Sequence, residues 1–309
     1  MKKDKYPLTN QGVILQKTVY GFDVSVWEIF WWGMCGGATA VSLPGEHAVP
    51  AKILNEVFRN KVTHLHFVPS VFELFLNELE NKAADRWKFN TVKHVFLSGE
   101  KLEATLVNRF YNLFDYKQVR LHNLYGPTEC TVDVTSYDCV PNEEVVPIGR
   151  PIYNTQIYIT DRNLSLLPVG IKGELVIGGE GVGQGYVNDA VLTQEKFVDN
   201  PFGKGKLYKT GDIAFLREDG QIMYCGRRDK QVKINGQRIE LAEVEMVVKG
   251  VPTVVAAAVV VRELQGKKHL VAYYCSKESC DDAVRTECKS KLPDGYNRYT
   301  CIAIAEIRP

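Results

Sequence analysis

An acidic residue stands inside one of the most apolar stretches of this sequence. Residues 21–34 read GFDVSVWEIFWWGM, and Asp23 lies there between Phe22 and Val24. Burying an unpaired carboxylate costs several kcal/mol, unless the group takes up a proton and becomes neutral. Asp23 therefore needs a partner, and a bound ligand that carries a positive charge would supply one.

A second stretch, NLYGPTECT at residues 123–131, carries oxygen ligands at the end of a predicted strand. Ligands of open α/β sheets bind at the carboxyl ends of the strands. Gly126-Pro127 forces a turn, after which Thr128 and Glu129 place a hydroxyl and a carboxylate side by side. Such hard oxygen ligands suit Mg²⁺ and phosphate. Taken alone, the same residues could equally form a capped turn that binds nothing.

Short β-rich runs alternate with helical patterns from residue 13 to about residue 125. The patterns predict strands at 13–18, 38–43, 62–68, 92–98 and 119–125, and helices at 25–37, 50–60, 69–80 and 103–114. Pro50 and Pro69 open two of the helices, where proline fits the first turn. This repetition is typical of a mostly parallel sheet with helices packed on it.

The pattern then changes twice. Between about residues 130 and 226, short strands broken by glycine indicate an antiparallel or barrel-like subdomain. From residue 231 onwards a hairpin turning at Asn235-Gly236, a helix, two strands and a second helix indicate a small α+β domain. We therefore divide the chain into residues 1–140, 141–228 and 229–309.

Composition excludes several classes of partner. The formal net charge is +1 and no basic run carries interleaved aromatic residues, so nucleic acid and anionic membranes are poor partners. No apolar run approaches the roughly 20 residues of a membrane span, and the charged N-terminus lacks the apolar segment of a secretory signal. The eight cysteines include no Cys-x-x-Cys pair, which favours free thiols in a cytoplasmic protein.

Five motifs follow one another along the chain between residues 22 and 245. They are FDVSVWE, NLYGPTE, GELVIGGEGVGQGYVN, YKTGD and GRRDKQVKINGQRIELAEVE. Together they resemble the amino-acid adenylation domains of nonribosomal peptide synthetases, within the adenylate-forming superfamily. The resemblance extends from about residue 13 to about residue 293, roughly the last three fifths of such a domain. It implies an α/β fold made of a β–α layered subdomain, a β-barrel-like subdomain and a small mobile C-terminal α+β domain.

The resemblance implies a site for the adenine ring of ATP. Tyr125 would stack on the ring, and Asn123 would reach its amino edge. Gly99 and Glu100, in the sequence LSGEKL, would form the opposite wall.

The resemblance also implies groups for the rest of the nucleotide. Thr128 and Glu129 would bind phosphate, and Glu129 would hold Mg²⁺. Asp212 would accept hydrogen bonds from the ribose hydroxyls with help from Arg227, because a carboxylate matches a vicinal diol in two places. Asp229 would be the hinge on which the small domain turns between two half-reactions.

The resemblance also supplies a partner for Asp23. In the family that the chain resembles, the acid of the FD-x-S motif holds the α-ammonium group of the substrate, and this charge pair offsets the desolvation of the acid. The alternative role, capping the helix that starts near Ser25, suits Ser25 or the backbone better. Acyl-activating relatives have no amino group to hold, so Asp23 favours an amino acid as the substrate.

The side-chain pocket implied by the resemblance has nine lining positions. They fall on Asp23, Val24, Trp27, His66, Phe96, Ser98, Leu124, Val132 and Asp133. An apolar substrate would leave His66, Ser98 and Asp133 unpaired, at about 1–3 kcal/mol each. A small hydroxyl can both donate and accept, and the set resembles that of serine-activating domains. We therefore expect L-serine, with threonine second, although His66 taken alone would be read as a core histidine.

The expected reaction is ATP-dependent adenylation of the amino acid, followed by loading onto the phosphopantetheine thiol of a peptidyl carrier protein. The family's phosphate loop is expected upstream of residue 13, and its catalytic lysine downstream of Pro309. One alternative is therefore a non-catalytic fragment that binds only nucleotide or carrier protein. Another is an acyl-CoA or aryl-acid ligase, which Asp23 disfavours.

Overall fold

In the computed structural model the chain divides into two units, Met1–Arg228 and Asp229–Pro309. The structure describes residues 5–228, 231–234, 237–264, 267–276, 280–292 and 299–303. Two predictions lie outside the described residues: the hinge at Asp229 and the hairpin turn at Asn235-Gly236.

The first unit is built on a sheet of seven strands. They are β1 (Val13–Gln16), β2 (Ala38–Val41), β3 (His64–Phe67), β4 (His94–Leu97), β5 (Arg120–Tyr125), β6 (Thr135–Asp138) and β7 (Arg150–Pro151). Their order is β2-β1-β3-β4-β5-β6-β7. Neighbours from β2 to β5 are parallel, and the last two pairs are antiparallel. The predicted mostly parallel sheet is confirmed.

Four α-helices connect the parallel strands. They are α1 (Ser25–Cys35), α2 (Pro50–Arg59), α3 (Pro69–Asn81) and α4 (Ala104–Leu113). Proline opens α2 and α3, as predicted, because the first turn of a helix does not need its N–H. The 3₁₀ helix Ala83–Phe89, which follows α3, was not predicted.

The first sheet is covered on both faces. Successive side chains of a strand point to opposite faces, and Leu65 and Phe67 of β3 join the core formed with α2, α3 and α4. On β4 and β5, Phe96 and Leu124 join a separate buried cluster with Trp27 and Trp31 of α1. Both faces of β3, β4 and β5 are therefore covered, which explains why nearly every residue of these strands is buried.

A row of histidines crosses the strands on the face that carries α1. Nδ1 of His94 lies 2.9 Å from Nε2 of His122, and Nδ1 of His122 lies 2.8 Å from Oδ1 of Asp138. The hydroxyl of Tyr6 donates to the same oxygen at 2.9 Å. Burial, together with the neighbouring His122 and Arg120, lowers the pKa of His94 to about 4.

We expect acid to destabilise the first unit through His94. Its folded-state pKa of about 4 lies below the unfolded value of about 6.5. The unfolded chain therefore takes up the proton first, so this stability is present above pH 6.5 and is lost as the pH falls towards 4. Between pH 7 and pH 5, wild type should lose on the order of 1 kcal/mol more than His94→Asn, whose amide can still donate towards His122. Urea unfolding followed by circular dichroism measures this loss, and equal losses in both proteins would contradict it.

A second sheet follows in the first unit. Its strands are β8 (Thr155–Thr160), β9 (Gly173–Gly179), β10 (Phe197–Asp199), β11 (Lys206–Leu216) and β12 (Ile222–Arg227). All of the pairings are antiparallel, in the order β10-β11-β9-β8, with β12 also on β11. The antiparallel character was predicted, whereas β10 and the helix α5 (Ala190–Lys196) were not.

The second unit has its own core. Its elements are β13 (Val232–Ile234), β14 (Gln237–Ile239), α6 (Leu241–Lys249), β15 (Val254–Leu264), β16 (Lys267–Ser276), α7 (Asp281–Lys291) and β17 (Tyr299–Ala303). Val244 of α6 and Val284 of α7 are fully buried against Tyr274. The predicted α+β character is confirmed, and β17, which pairs parallel to β16, is an addition.

Candidate active site

Asp23 lies in the turn just before α1 and is half-buried. Its main-chain carbonyl accepts from the N–H of Val26 at 3.0 Å. Within the described part of the chain, its carboxylate forms no hydrogen bond or ion pair. The N-cap of α1 is Val24, without a side-chain cap, and the hydroxyl of Ser25 donates instead to the carbonyl of Tyr20. Neither Asp23 nor Ser25 therefore caps the helix with its side chain; of the two alternatives expected for this role, Ser25 or the backbone, the structure agrees with the backbone.

Most of the predicted substrate pocket is brought together by the face that carries α1. Trp27, Phe96 and Leu124 are buried in one cluster, and Val24 and Val132 pack against it. The rings of Trp27 and Phe96 meet edge to face, with centroids 5.4 Å apart. These side chains come from three separate parts of the chain, so only the folded sheet makes them neighbours.

Two polar pocket residues, His66 of β3 and Ser98 directly after β4, meet directly. Nε2 of His66 lies 2.8 Å from Oγ of Ser98, and both side chains are buried. The ring of Trp27 stands at 89° to that of His66, with centroids 5.8 Å apart. Asp133 is also buried, and its N–H donates to the carbonyl of Thr131 at 3.1 Å.

A buried glutamate that sequence reasoning did not single out lies behind this pair. The side chain of Glu28 is fully buried, and its Oε1 lies 3.9 Å from Nδ1 of His66. Burial raises the pKa of the Glu28 carboxyl, whereas the charge of Lys17 and the hydrogen bonds from Thr18 and the backbone oppose that rise. Burial in turn lowers the pKa of the Lys17 amine, which the charge of Glu28 opposes. The signal in the sequence was the second acid of the apolar stretch, five residues after Asp23.

The loop after β5 is a tight turn with an unusual backbone. A Cβ atom on Gly126 would collide with the carbonyl oxygen of Val132, so the turn requires glycine at this place. Thr131 and Val132 have φ of 61° and 72°. The left-handed region is strained for a β-branched residue and persists only where the surroundings enforce it. The loop therefore holds Val132 and Asp133 in one imposed conformation.

The residues predicted to bind adenine and ribose lie together where the two sheets of the first unit meet. The hydroxyl of Tyr125 donates to Oδ2 of Asp212, and Arg227 donates to Oδ1 of Asp212 at 3.0 Å. Burial and the charge of Asp212 raise the pKa of Tyr125. The amide of Asn123 donates to the carbonyl of Pro147 at 2.8 Å, so this group holds the β6–β7 connection. The carboxylate of Asp212 is thus fixed by two donors before any ligand arrives.

The remaining predicted nucleotide residues are half-buried or exposed at the ends of β4 and β5. Thr128 is exposed, and the half-buried Glu129 accepts from the hydroxyl of Tyr186 at 2.7 Å. Glu100 accepts from the N–H of Ser70, in the first turn of α3, at 3.0 Å. Gly99, directly before Glu100, has φ of 86°. The carboxylate of Glu129 is therefore held by Tyr186, and that of Glu100 by the backbone at the start of α3.

Glu129 is the predicted magnesium ligand, and a magnesium ion there would take further ligands from phosphate and water. Among the described residues, no group of three or more His, Cys, Asp or Glu side chains could hold a metal ion. Mg²⁺ is commonly bound by one or two carboxylates together with substrate phosphates and water. The half-buried carboxylate of Glu129 suits that arrangement, in which the nucleotide itself brings most of the ligands.

The second arginine of the motif GRRDK is also paired with a carboxylate, although its side chain is more exposed than that of the first. Arg228 pairs with Oε2 of Glu174 at 3.1 Å, and Oε1 of Glu174 accepts from the N–H of Gly211 at 3.1 Å. Glu174 is buried. Arg227 is bound by the buried carboxylate of Asp212 and is 12% exposed, whereas the side chain of Arg228 is 41% exposed and remains in contact with solvent.

Comparisons with known proteins identify the family. The model of the family described as AMP-binding enzyme matches residues 1–187. The chain is 42% identical over 299 residues to zwittermicin A synthase ZmaJ of Bacillus cereus, covering 94% of this chain and 56% of that protein. It is 38% identical over 296 residues to tyrocidine synthase 3 of Brevibacillus parabrevis, covering 94% of this chain and 4% of that protein. The chain thus spans about half of the first relative and a small part of the second.

Solved structures agree with the predicted fold. The adenylation domain AlmE of Vibrio cholerae, in complex with glycyl-adenosine-5'-phosphate, superposes with a TM-score of 0.86 at 30% identity, covering 99% of this chain and 58% of that one. An NRPS protein containing adenylation and PCP domains, bound to a vinylsulfonamide inhibitor, gives a TM-score of 0.86 at 26% identity, covering 97% of this chain and 51% of that one. The chain belongs to the AMP-binding enzyme family, a family of adenylate-forming ligases, and its α/β fold is the adenylate-forming fold. No helix in the described ranges combines the length and apolar character needed to cross a membrane.

We expect Asp212→Ala to destabilise the first unit by about 3 kcal/mol, because it removes the buried acceptor of both Tyr125 and Arg227. Asp219→Ala is the matched control, since Asp219 pairs with Arg217 at the surface, where ion pairs contribute little to stability. Urea unfolding of both variants measures the difference. A loss for Asp212→Ala no larger than that of the control would refute the structural role of this carboxylate.

Proposed function

We propose that the protein carries out ATP-dependent adenylation of an amino acid, L-serine, within a nonribosomal peptide synthetase. The aminoacyl-AMP would then be loaded onto the phosphopantetheine thiol of a peptidyl carrier protein. Two of the relatives, ZmaJ and tyrocidine synthase 3, are named as synthases of zwittermicin A and tyrocidine. One similar structure is of an NRPS protein that contains adenylation and PCP domains in one chain, which supports the carrier as partner.

The observation that carries the amino-acid assignment is the carboxylate of Asp23. Asp23 is half-buried and directly precedes Val24, which packs against the cluster of Trp27 and Phe96, and the described residues offer its carboxylate no cation. The α-ammonium group of an amino acid would complete this charge pair and offset its desolvation. A fatty or aryl acid would bring no positive charge to the same place.

The choice of serine rests on the pair His66 and Ser98. Both are buried, and the hydroxyl of Ser98 can bond to a small ligand hydroxyl while it also bonds to His66. The large rings of Trp27 and Phe96 limit the volume for a ligand side chain. Threonine, which adds only one methyl group to serine, is therefore the second candidate. An alanine or valine side chain would leave these polar groups without a partner from the ligand.

The chemical step needs positioning and charge stabilisation more than a protein nucleophile. The substrate carboxylate attacks the α-phosphorus, and pyrophosphate leaves. Asp23 would hold the amino end, while Asp212, already oriented by Arg227, would hold the ribose hydroxyls. Thr128 and Glu129 would meet the phosphates, and bound Mg²⁺ would neutralise charge on the phosphate oxygens. Asp229, the first residue of the second unit, would be the hinge between adenylation and thiol loading.

We expect serine to stimulate ATP–pyrophosphate exchange by the parent synthetase, and Asp23→Ala to lower kcat/KM for serine about 100-fold, since a buried charge pair is broken. Asp199→Ala, at an exposed carboxylate on the second sheet, is the control and should keep full exchange. Exchange with a fatty acid but with no amino acid would instead favour an acyl ligase. Equal activity of Asp23→Ala and wild type would remove the amino-acid assignment.

A second candidate function applies to this chain by itself. Because it spans 56% of ZmaJ, it can be a part that binds nucleotide or carrier protein without turning over. Calorimetry of this chain with a non-hydrolysable seryl-adenylate analogue tests the pocket without requiring turnover. Binding that is lost in Asp23→Ala shows a competent pocket, and absence of binding in wild type favours a fragment with no substrate site of its own.

A further inference from the structure

The carboxylate of Glu28 is held rigidly at the end of β1. Its Oε2 accepts from the N–H groups of Lys17 at 3.1 Å and Thr18 at 2.9 Å. Its Oε1 accepts from the hydroxyl of Thr18 at 2.7 Å. The side chain is fully buried and lies on α1, one residue after Trp27. Three donors from one short segment therefore fix both oxygens, and Glu28 ties the start of α1 to the end of β1.

The same carboxylate faces the ring of His66. Oε1 of Glu28 lies 3.9 Å from Nδ1 of His66, while Nε2 on the other side of the ring lies 2.8 Å from Oγ of Ser98. His66 is paired with Phe96 in the register of β3 and β4, and its ring is packed edge-on by Trp27. Glu28, His66 and Ser98 thus form a line of groups that runs from the end of β1 to the proposed substrate pocket.

Charge decides which nitrogen of a neutral imidazole carries the proton. A carboxylate favours a proton on the nearer nitrogen, because an N–H dipole points towards it and a lone pair would repel it. In His66 the nearer nitrogen is Nδ1. Nε2 is then an acceptor, and the hydrogen of the 2.8 Å contact must come from the hydroxyl of Ser98.

We propose that Glu28 is a positioning residue that sets His66 in its Nδ1–H form, so that Ser98 donates to His66 and offers only lone pairs to the ligand. The pocket then selects a ligand side chain that donates a hydrogen bond. This inference rests on the proposed function for the identity of the substrate, but not for the protonation of His66. Such a pocket prefers serine, whose hydroxyl donates a hydrogen bond, to O-methylserine, whose ether oxygen only accepts.

Nitrogen-15 NMR of this chain with labelled histidine tests the protonation directly, because protonated and unprotonated ring nitrogens resonate far apart. The signals of His66 are assigned by their loss in His66→Gln. We expect the Nδ1–H form in wild type. In Glu28→Gln the side-chain amide can keep its oxygen on the N–H groups of Lys17 and Thr18 and turn its NH₂ group towards Nδ1 of His66, so we expect the Nε2–H form.

Thr18→Val is the matched control. It removes one donor to Oε1 of Glu28 but keeps the charge that faces His66, so the Nδ1–H form should remain. An Nε2–H or doubly protonated ring in wild type would overturn the proposal. So would an unchanged form in Glu28→Gln, or a change in Thr18→Val as large as that in Glu28→Gln.

Exchange kinetics of the parent synthetase supply the second readout. In Glu28→Gln the hydroxyl of Ser98 becomes free to donate, so the preference for serine over O-methylserine in kcat/KM should fall about tenfold, the worth of one hydrogen bond. The steric effect of the extra methyl group of O-methylserine is the same in wild type and in Glu28→Gln. It therefore cancels when the preferences of the two proteins are compared. An unchanged ratio overturns the selection step. If serine supports no exchange at all, the proposed function fails, while the NMR result still decides the role of Glu28.

Discussion

The alternation of side chains along three adjacent parallel strands is the constraint on which the rest of the structure depends. On β3, Leu65 and Phe67 face the helices α2 to α4, whereas His66, between them, faces α1. The same alternation places Phe96 and Leu124 beside Trp27. A slip of one residue in register would exchange core and pocket completely. The large core on one face therefore fixes the register that assembles the polar groups on the other face.

Besides Glu28, two buried carboxylates of the first unit are matched by donors of the chain, and Asp23 differs from all three. Asp212 is met by Tyr125 and Arg227, and Glu174 by Arg228 and the backbone of Gly211. These acids hold distant strands and turns together, which is a structural use of charge that costs little once every oxygen is satisfied. The carboxylate of Asp23 lacks such a partner in the described ranges, as the proposed binding of a substrate ammonium group requires.

Sequence reasoning located the long elements because apolar period, proline and glycine agree in them, as in the helices opened by Pro50 and Pro69. It missed α5 and β10, which are too short to show a period. The site residues came mainly from the resemblance, and their roles remain predictions. The partners of Glu28 and Arg228 could not be predicted, because Arg228 and Glu174 are separated by 54 residues and meet only in the folded sheet.

The glycine-rich segment that follows β9 is hydrogen-bonded to the strained loop that follows β5. The N–H of Gly183 donates to the carbonyl of Glu129 at 2.8 Å, and the hydroxyl of Thr131 donates to the carbonyl of Gly181 at 2.8 Å. A Cβ on Gly183 would lie only 3.1 Å from that same carbonyl of Glu129, so a larger residue would require this carbonyl to shift by a few tenths of an ångström. The two contacts supply the restraint that holds Thr131 and Val132 in the left-handed region. The segment after β9 thus supports the loop that carries Glu129, which gives a physical reason for both motifs to occur in one chain.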